Sequence, residues 1–138
     1  MKGNLYLFYL IFAIPLFIYG LEFMIIVETP DMEGDKIAKK KTLVTRLGRN
    51  LSYKIIILSL LIVSIYFLFI SYLGIFREYL DFSIIYVLSL IPLFVAVYGW
   101  FKKPFTKKIA IKTAQKNMNA LILFVLVLNM YLIAVTFT

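Results

Sequence analysis

Residues Ile55 to Phe76 read IIILSLLIVSIYFLFISYLGIF, 22 positions without one charged side chain. As a helix rising ~1.5 Å per residue, such a run crosses the ~30 Å hydrocarbon layer of a bilayer. Backbone N–H and C=O groups find no water there, so the run must close its hydrogen bonds internally, and helix is the way an open chain does so.

Three further runs follow the same rule: Leu5 to Val27, Phe82 to Phe101 and Ala120 to Phe137. Lys2 before the first run invites a signal-peptide reading, but the run is too long for an h-region and lacks a small-x-small cleavage site. The expected fold is an all-α polytopic membrane protein: one membrane domain, residues 1–138, with spans at about 5–27, 55–76, 82–101 and 120–137. The whole composition agrees, with 63% hydrophobic and 16% charged residues and a mean hydropathy of +0.95. Pro15 and Pro92 fall inside spans, where each frees a carbonyl that a neighbouring helix or hydroxyl must satisfy.

The charges give an orientation. Thirteen of the fifteen Lys and Arg residues lie in two segments, residues 28–54 and 102–119; Lys2 and Arg77 are the other two. The positive-inside rule puts both segments in the cytoplasm as loops, with both termini and the short turn around Arg77 to Asp81 outside. A net charge of +8 suits anionic partners, either lipid headgroups or a phosphorylated substrate. The absence of His and Cys excludes Ser-His-Asp and Cys-His catalysis, thiol redox chemistry and the usual zinc and iron sites. The glycines are scattered, so no nucleotide loop is present, and no recognition module accompanies the lysines, so nucleic acid is not an expected partner.

Four of the seven acids crowd into Glu28-Thr29-Pro30-Asp31-Met32-Glu33-Gly34-Asp35, where the first span meets the expected cytoplasmic surface. If Pro30 opens a helical turn, Asp31 and Asp35 stand at i and i+4, with Cβ atoms ~5–6 Å apart. Two such carboxylates repel unless a cation lies between them. Their hard oxygens suit Mg²⁺, which keeps several waters and completes its shell with substrate phosphates. Lys36, Lys39, Lys40, Lys41, Arg46 and Arg49 follow at once, and such cations can hold a metal-bridged diphosphate directly. The blander reading of these lysines is topology or contact with membrane lipid. A bare DxxxD on a solvated helix face is common by chance.

The segment from Glu28 through Asp31, Asp35, Lys41, Thr42, Leu43, Arg46 and Gly48 to Arg49 resembles the second aspartate-rich motif of the UbiA superfamily of intramembrane prenyltransferases. The resemblance implies the last four helices of a nine-helix bundle. It also implies an enzyme: Mg²⁺-dependent transfer of an isoprenyl group from an isoprenyl diphosphate to an aromatic or other lipid-precursor acceptor. Asp31 and Asp35 would be the catalytic metal ligands, with Lys36, Lys40 and Arg46 holding the departing diphosphate. Lys39 stands where the family usually has glycine. The family's first motif, an Asn and Asp cluster between earlier helices, has no counterpart here, so the chain reads as a C-terminal half: a fragment, one polypeptide of a split enzyme, or a degenerate relative. The rival reading is a small noncatalytic membrane subunit that binds lipid or a partner protein.

Glu22 lies within the first span, where a charge is costly; it either snorkels to the nearby interface or lines a polar acceptor pocket. Asn129, in the middle of span four, is expected to hydrogen-bond between helices. Tyr6, Tyr9, Tyr53, Tyr79, Tyr98 and Trp100 sit near span ends and are expected at the headgroups. The basic run from Lys102 to Lys116 could approach the diphosphate from the far side, its plainer role being topology.

Overall fold

The computed structural model describes residues 2–75, 77, 80–104 and 106–136, with side chains between Tyr9 and Val135. Its regular structure is helical throughout: α1 (Lys2–Glu28), α2 (Met32–Ile37), α3 (Leu43–Leu73), α4 (Phe82–Phe101) and α5 (Lys107–Thr136). All but the short α2 are long and apolar enough to cross a membrane. The chain is an all-α polytopic membrane protein.

Apolarity located the spans better than it located the helix ends. Helix α4 coincides with its expected span, but α3 begins at Leu43 rather than near Ile55, and α5 at Lys107 rather than near Ala120. Hydrocarbon thickness limits the apolar run and not the helix, which continues until something caps or breaks it. Thr42 supplies the start of α3, its hydroxyl accepting from Thr45 N at 3.2 Å. Asp81 does the same for α4, accepting from Ser83 N at 2.9 Å. The segments expected as loops therefore hold α2 and the first turns of α3 and α5. Glu78, Tyr79, Phe105 and the span ends at Phe76 and Phe137 lie outside the described residues, as does the side chain of Tyr6.

Helix α3 is the centre of the bundle, antiparallel to α1 and to α4, while α5 packs along α4 and touches α1. Its buried stripe of Ile56, Leu60, Val63 and Phe67 meets Ile11, Ile25 and Ile26 of α1 and Ile85 and Ala96 of α4 in one core. Lipid tails are as apolar as these residues, so close packing and buried hydrogen bonds provide the association. The Pro15 position shows such a bond: Pro15 cannot donate to Ile11, and the Tyr66 hydroxyl from α3 donates to that carbonyl at 2.9 Å. Between α3 and α4, Ser64 Oγ donates to the Ser89 carbonyl at 3.4 Å and takes the Ser89 hydroxyl at 3.1 Å.

The outer faces of α1 and α5 carry exposed Leu16, Phe17, Met24, Leu126, Met130 and Ile133. Asn129 lies on that α5 face, and contrary to expectation its Nδ2 donates within its own helix, to the Val125 carbonyl at 2.8 Å. Among the described residues no other helix covers the position, which is exposed, so the amide returns to the carbonyl one turn back.

Candidate functional site

The acidic segment forms a tight corner between α1 and α3. Helix α1 ends at Glu28, and Asp31 is the N-cap residue of α2 without a side-chain capping bond, its carboxylate left exposed. Asp35 N donates to the Asp31 carbonyl at 2.9 Å, so the two aspartates sit one helical turn apart. Asp35 is largely covered, 15% exposed, with Lys40 Nζ at 3.4 Å from its Oδ1.

Helix α2 is closed by two bonds, Lys39 N to the Lys36 carbonyl at 3.1 Å and Lys40 N to the Asp35 carbonyl at 2.9 Å. This pair of bonds requires a left-handed residue just past the helix, a position that favours glycine. Lys39 fills it with φ 55°. The position is the one where the resembled motif carries glycine, and the backbone there asks for glycine on its own account.

Arg49 fixes the corner. It is buried, its guanidinium pairs in two-pronged fashion with the Glu33 carboxylate, and its remaining donors take the Thr29 carbonyl at 2.9 Å and the Pro30 carbonyl at 3.2 Å. One side chain thus ties the end of α1 and the start of α2 to α3. Gly48 makes this possible: its φ 78° and ψ 162° interrupt α3, a conformation open essentially to glycine alone. The Arg49 hydrogen bond, aided by the charges of Arg49 and Lys107, holds the Glu33 carboxyl below its ordinary value. Glu28 completes the corner, its carboxylate accepting from Val44 N at 3.4 Å at the start of α3, where backbone N–H groups lack helical partners.

The six cations named from the sequence therefore divide. Arg49 is an internal brace and Lys40 shields Asp35. Lys36, Lys40 and Arg46 are all exposed. The Thr45 hydroxyl, 3.2 Å from the Lys40 carbonyl, ties the segment after α2 to the first turn of α3, on which Arg46 lies.

Below the corner lies a second polar layer that span reading missed in part. Glu22 does not snorkel: it is 1% exposed. Tyr53 does not sit at the headgroups either. Because α3 starts early, Tyr53 is an interior residue, its ring 6.0 Å from that of Trp100 and its hydroxyl accepting from Asn117 Nδ2 at 2.8 Å. That hydroxyl occupies the space where a β-carbon on Gly99 would stand, so only glycine admits it. Tyr98 and Tyr9 are exposed, as interfacial rings are; Lys102 and Lys116 approach the face of Tyr98 at 5.2 and 5.6 Å. Asn117 was hidden in a presumed loop, although its spacing from Ala110, Thr113 and Ala114 marks a small-residue helix face.

Comparison with protein-family models, curated proteins and solved structures yields no match to this chain.

Proposed function

We propose that the corner between α1 and α3 binds the diphosphate of an isoprenyl diphosphate through Mg²⁺, and that the chain is the C-terminal portion of a UbiA-type prenyltransferase acting at the cytoplasmic face of the cell membrane. The observation that carries this reading is the pair Asp31 and Asp35, one turn apart on a corner braced by Arg49, with Lys40 beside Asp35.

The donor set suits Mg²⁺, which accepts one or two carboxylates and keeps the rest of its shell for water and phosphate oxygens. Among the described residues no three His, Cys, Asp or Glu side chains gather as a group, because Glu33 is committed to Arg49 and Glu28 to α3. Asp31 and Asp35 would hold the ion, which supplies neutralisation of charge on the leaving diphosphate. Lys36, Lys40 and Arg46 would bind its outer oxygens; Lys40, now 3.4 Å from Asp35, is the cation nearest the proposed ligand pair. An apolar groove between α1 and α5, lined by Ile26, Val27, Pro30, Ile111, Ala114 and Met118, starts beside Asp31 and suits an isoprenoid tail. The acceptor would attack the allylic carbon as its bond to the diphosphate oxygen breaks, the diphosphate leaving with the electron pair and the acceptor giving up a proton, within a bundle completed by an N-terminal-half polypeptide carrying the Asn and Asp motif.

Converting Asp31→Asn together with Asp35→Asn in the assembled enzyme should abolish Mg²⁺-dependent binding and turnover of a radiolabelled isoprenyl diphosphate; undiminished turnover refutes the reading. One observation favours the noncatalytic alternative: Asp35 and Glu33 already have cationic partners. In that case the corner contacts lipid or a partner protein, and labelled diphosphate binds no more tightly with Mg²⁺ than with EDTA.

A further inference from the structure

The least satisfied part of the molecule is its interior layer. Both Glu22 carboxylate oxygens, the Tyr19 hydroxyl, Ser52 Oγ and Asn117 Oδ1 are buried without a hydrogen-bond partner. Their residues are between 0 and 7% exposed. Tyr19 and Glu22 share a face of α1, at i and i+3. The ties from Ile11 to Tyr66 and from Thr29 to Arg49 set α1 against α3 so that Glu22 falls near the Tyr53–Ile56 turn, with Ser52 just before it. Asn117 of α5 is bonded to Tyr53 of that turn at 2.8 Å. The Tyr19 ring lies 5.1 Å from that of Phe124 of α5.

We propose that this layer is a binding site for a small monovalent metal cation, with the Glu22 carboxylate as its charged ligand and Asn117 Oδ1, the Tyr19 hydroxyl and Ser52 Oγ as neutral oxygen donors. An ionised carboxylate without a counter-charge is strongly unfavourable in such surroundings. Arg49, the buried cation of α3, is engaged with Glu33 and the α1 carbonyls. A proton on Glu22 would answer one acceptor, whereas a metal cation draws several oxygen lone pairs at once. One carboxylate balances a single positive charge, and an oxygen-only donor set fits a hard alkali ion rather than a transition metal. The bond from Asn117 Nδ2 to Tyr53 orients the amide so that its oxygen is the free end. The site is separate from Asp31 and Asp35 and does not depend on the function proposed for them.

The test is thermal unfolding of the full chain in detergent, in NaCl, KCl or choline chloride at matched ionic strength. The melting temperature should rise with the logarithm of Na⁺ or K⁺ concentration above saturation, because a ligand of the folded state stabilises by mass action, and should stay flat in choline. Glu22→Gln should abolish the response, and Asn117→Leu should raise the half-saturating concentration at least tenfold. Asp31→Asn with Asp35→Asn should leave it intact. Equal melting in all three salts overturns the proposal, as does a full response in Glu22→Gln or its loss in the aspartate double variant. Should Glu22→Gln fail to fold, equilibrium binding of ²²Na⁺ and ⁸⁶Rb⁺ to the wild-type chain decides: about one ion per chain supports the site, and binding of neither ion overturns it.

Discussion

Lys39 and Gly48 are the two residues whose backbone angles shape the acidic corner, and they were filled differently. At Lys39 a side chain occupies a left-handed position, at a penalty of roughly 1 kcal/mol. Lys39→Gly should therefore stabilise the ligand-free corner by about that amount, read as slower amide exchange in α2; diphosphate binding by the same variant measures separately what the ammonium adds to affinity. At Gly48 the angles leave little room for any other residue, and Gly48→Ala should cost about 1–3 kcal/mol and release Arg49 from Thr29 and Pro30. Denaturant unfolding of the two variants should give shifts of opposite sign. Tyr66 acts at the same scale: its hydroxyl serves the carbonyl that Pro15 leaves unpaired. Tyr66→Phe removes a membrane hydrogen bond worth about 0.6–2 kcal/mol, and Pro15→Ala in the same chain should recover much of the loss, because an alanine N–H restores the bond within α1.

Among the elements, α2 is too short to persist alone and holds its place through Arg49. The Glu33 carboxyl is held below its ordinary value by the Arg49 hydrogen bond, which sets the sign of the pH dependence. A group with a lowered folded-state value contributes stability above its unfolded value, and that contribution is lost as pH falls through the folded one. The clamp should stay closed from neutral pH to about pH 5, near the unfolded glutamate value, and loosen at lower pH. Amide exchange in α2 read against pH tests this, and Glu33→Gln should remove the acid-dependent part. The early start of α3 has a second consequence at this scale. It carries Tyr53 inside the bundle against Gly99, so Gly99→Ala forces the tyrosine away from Asn117 and should destabilise α3 against α4 by about 1–3 kcal/mol.

For the whole molecule, the lysine distribution and the antiparallel bundle together make a topological prediction. The chain has no cysteine, so single cysteines report the side they occupy. Lys40→Cys should react with an impermeant maleimide only after the cytoplasmic face is opened, and Arg77→Cys in intact cells; the reverse pattern would invert the orientation and remove the acidic corner from cytoplasmic diphosphate. The exposed apolar faces of α1 and α5 are ready for lipid or for helices of another polypeptide. Copurification with a chain of about five spans bearing the complementary Asn and Asp cluster would favour the second.

Class, span number and the position of the acidic segment were legible in the sequence, because hydrocarbon thickness and backbone desolvation act on composition alone. The spacing of Asp31 and Asp35 was legible too, since one helical turn is a local matter. Which partner each charge takes was not: Arg49 and Lys40 look alike in a list of basic residues, and only the break at Gly48 and the approach of α1 to α3 commit the first to Glu33 while the second lies at Asp35. Nor could hydropathy place Tyr53, Asn117 and Glu22 in one layer, because hydropathy locates residues by depth, whereas what they touch is set by the rotation and register of helices distant in the chain.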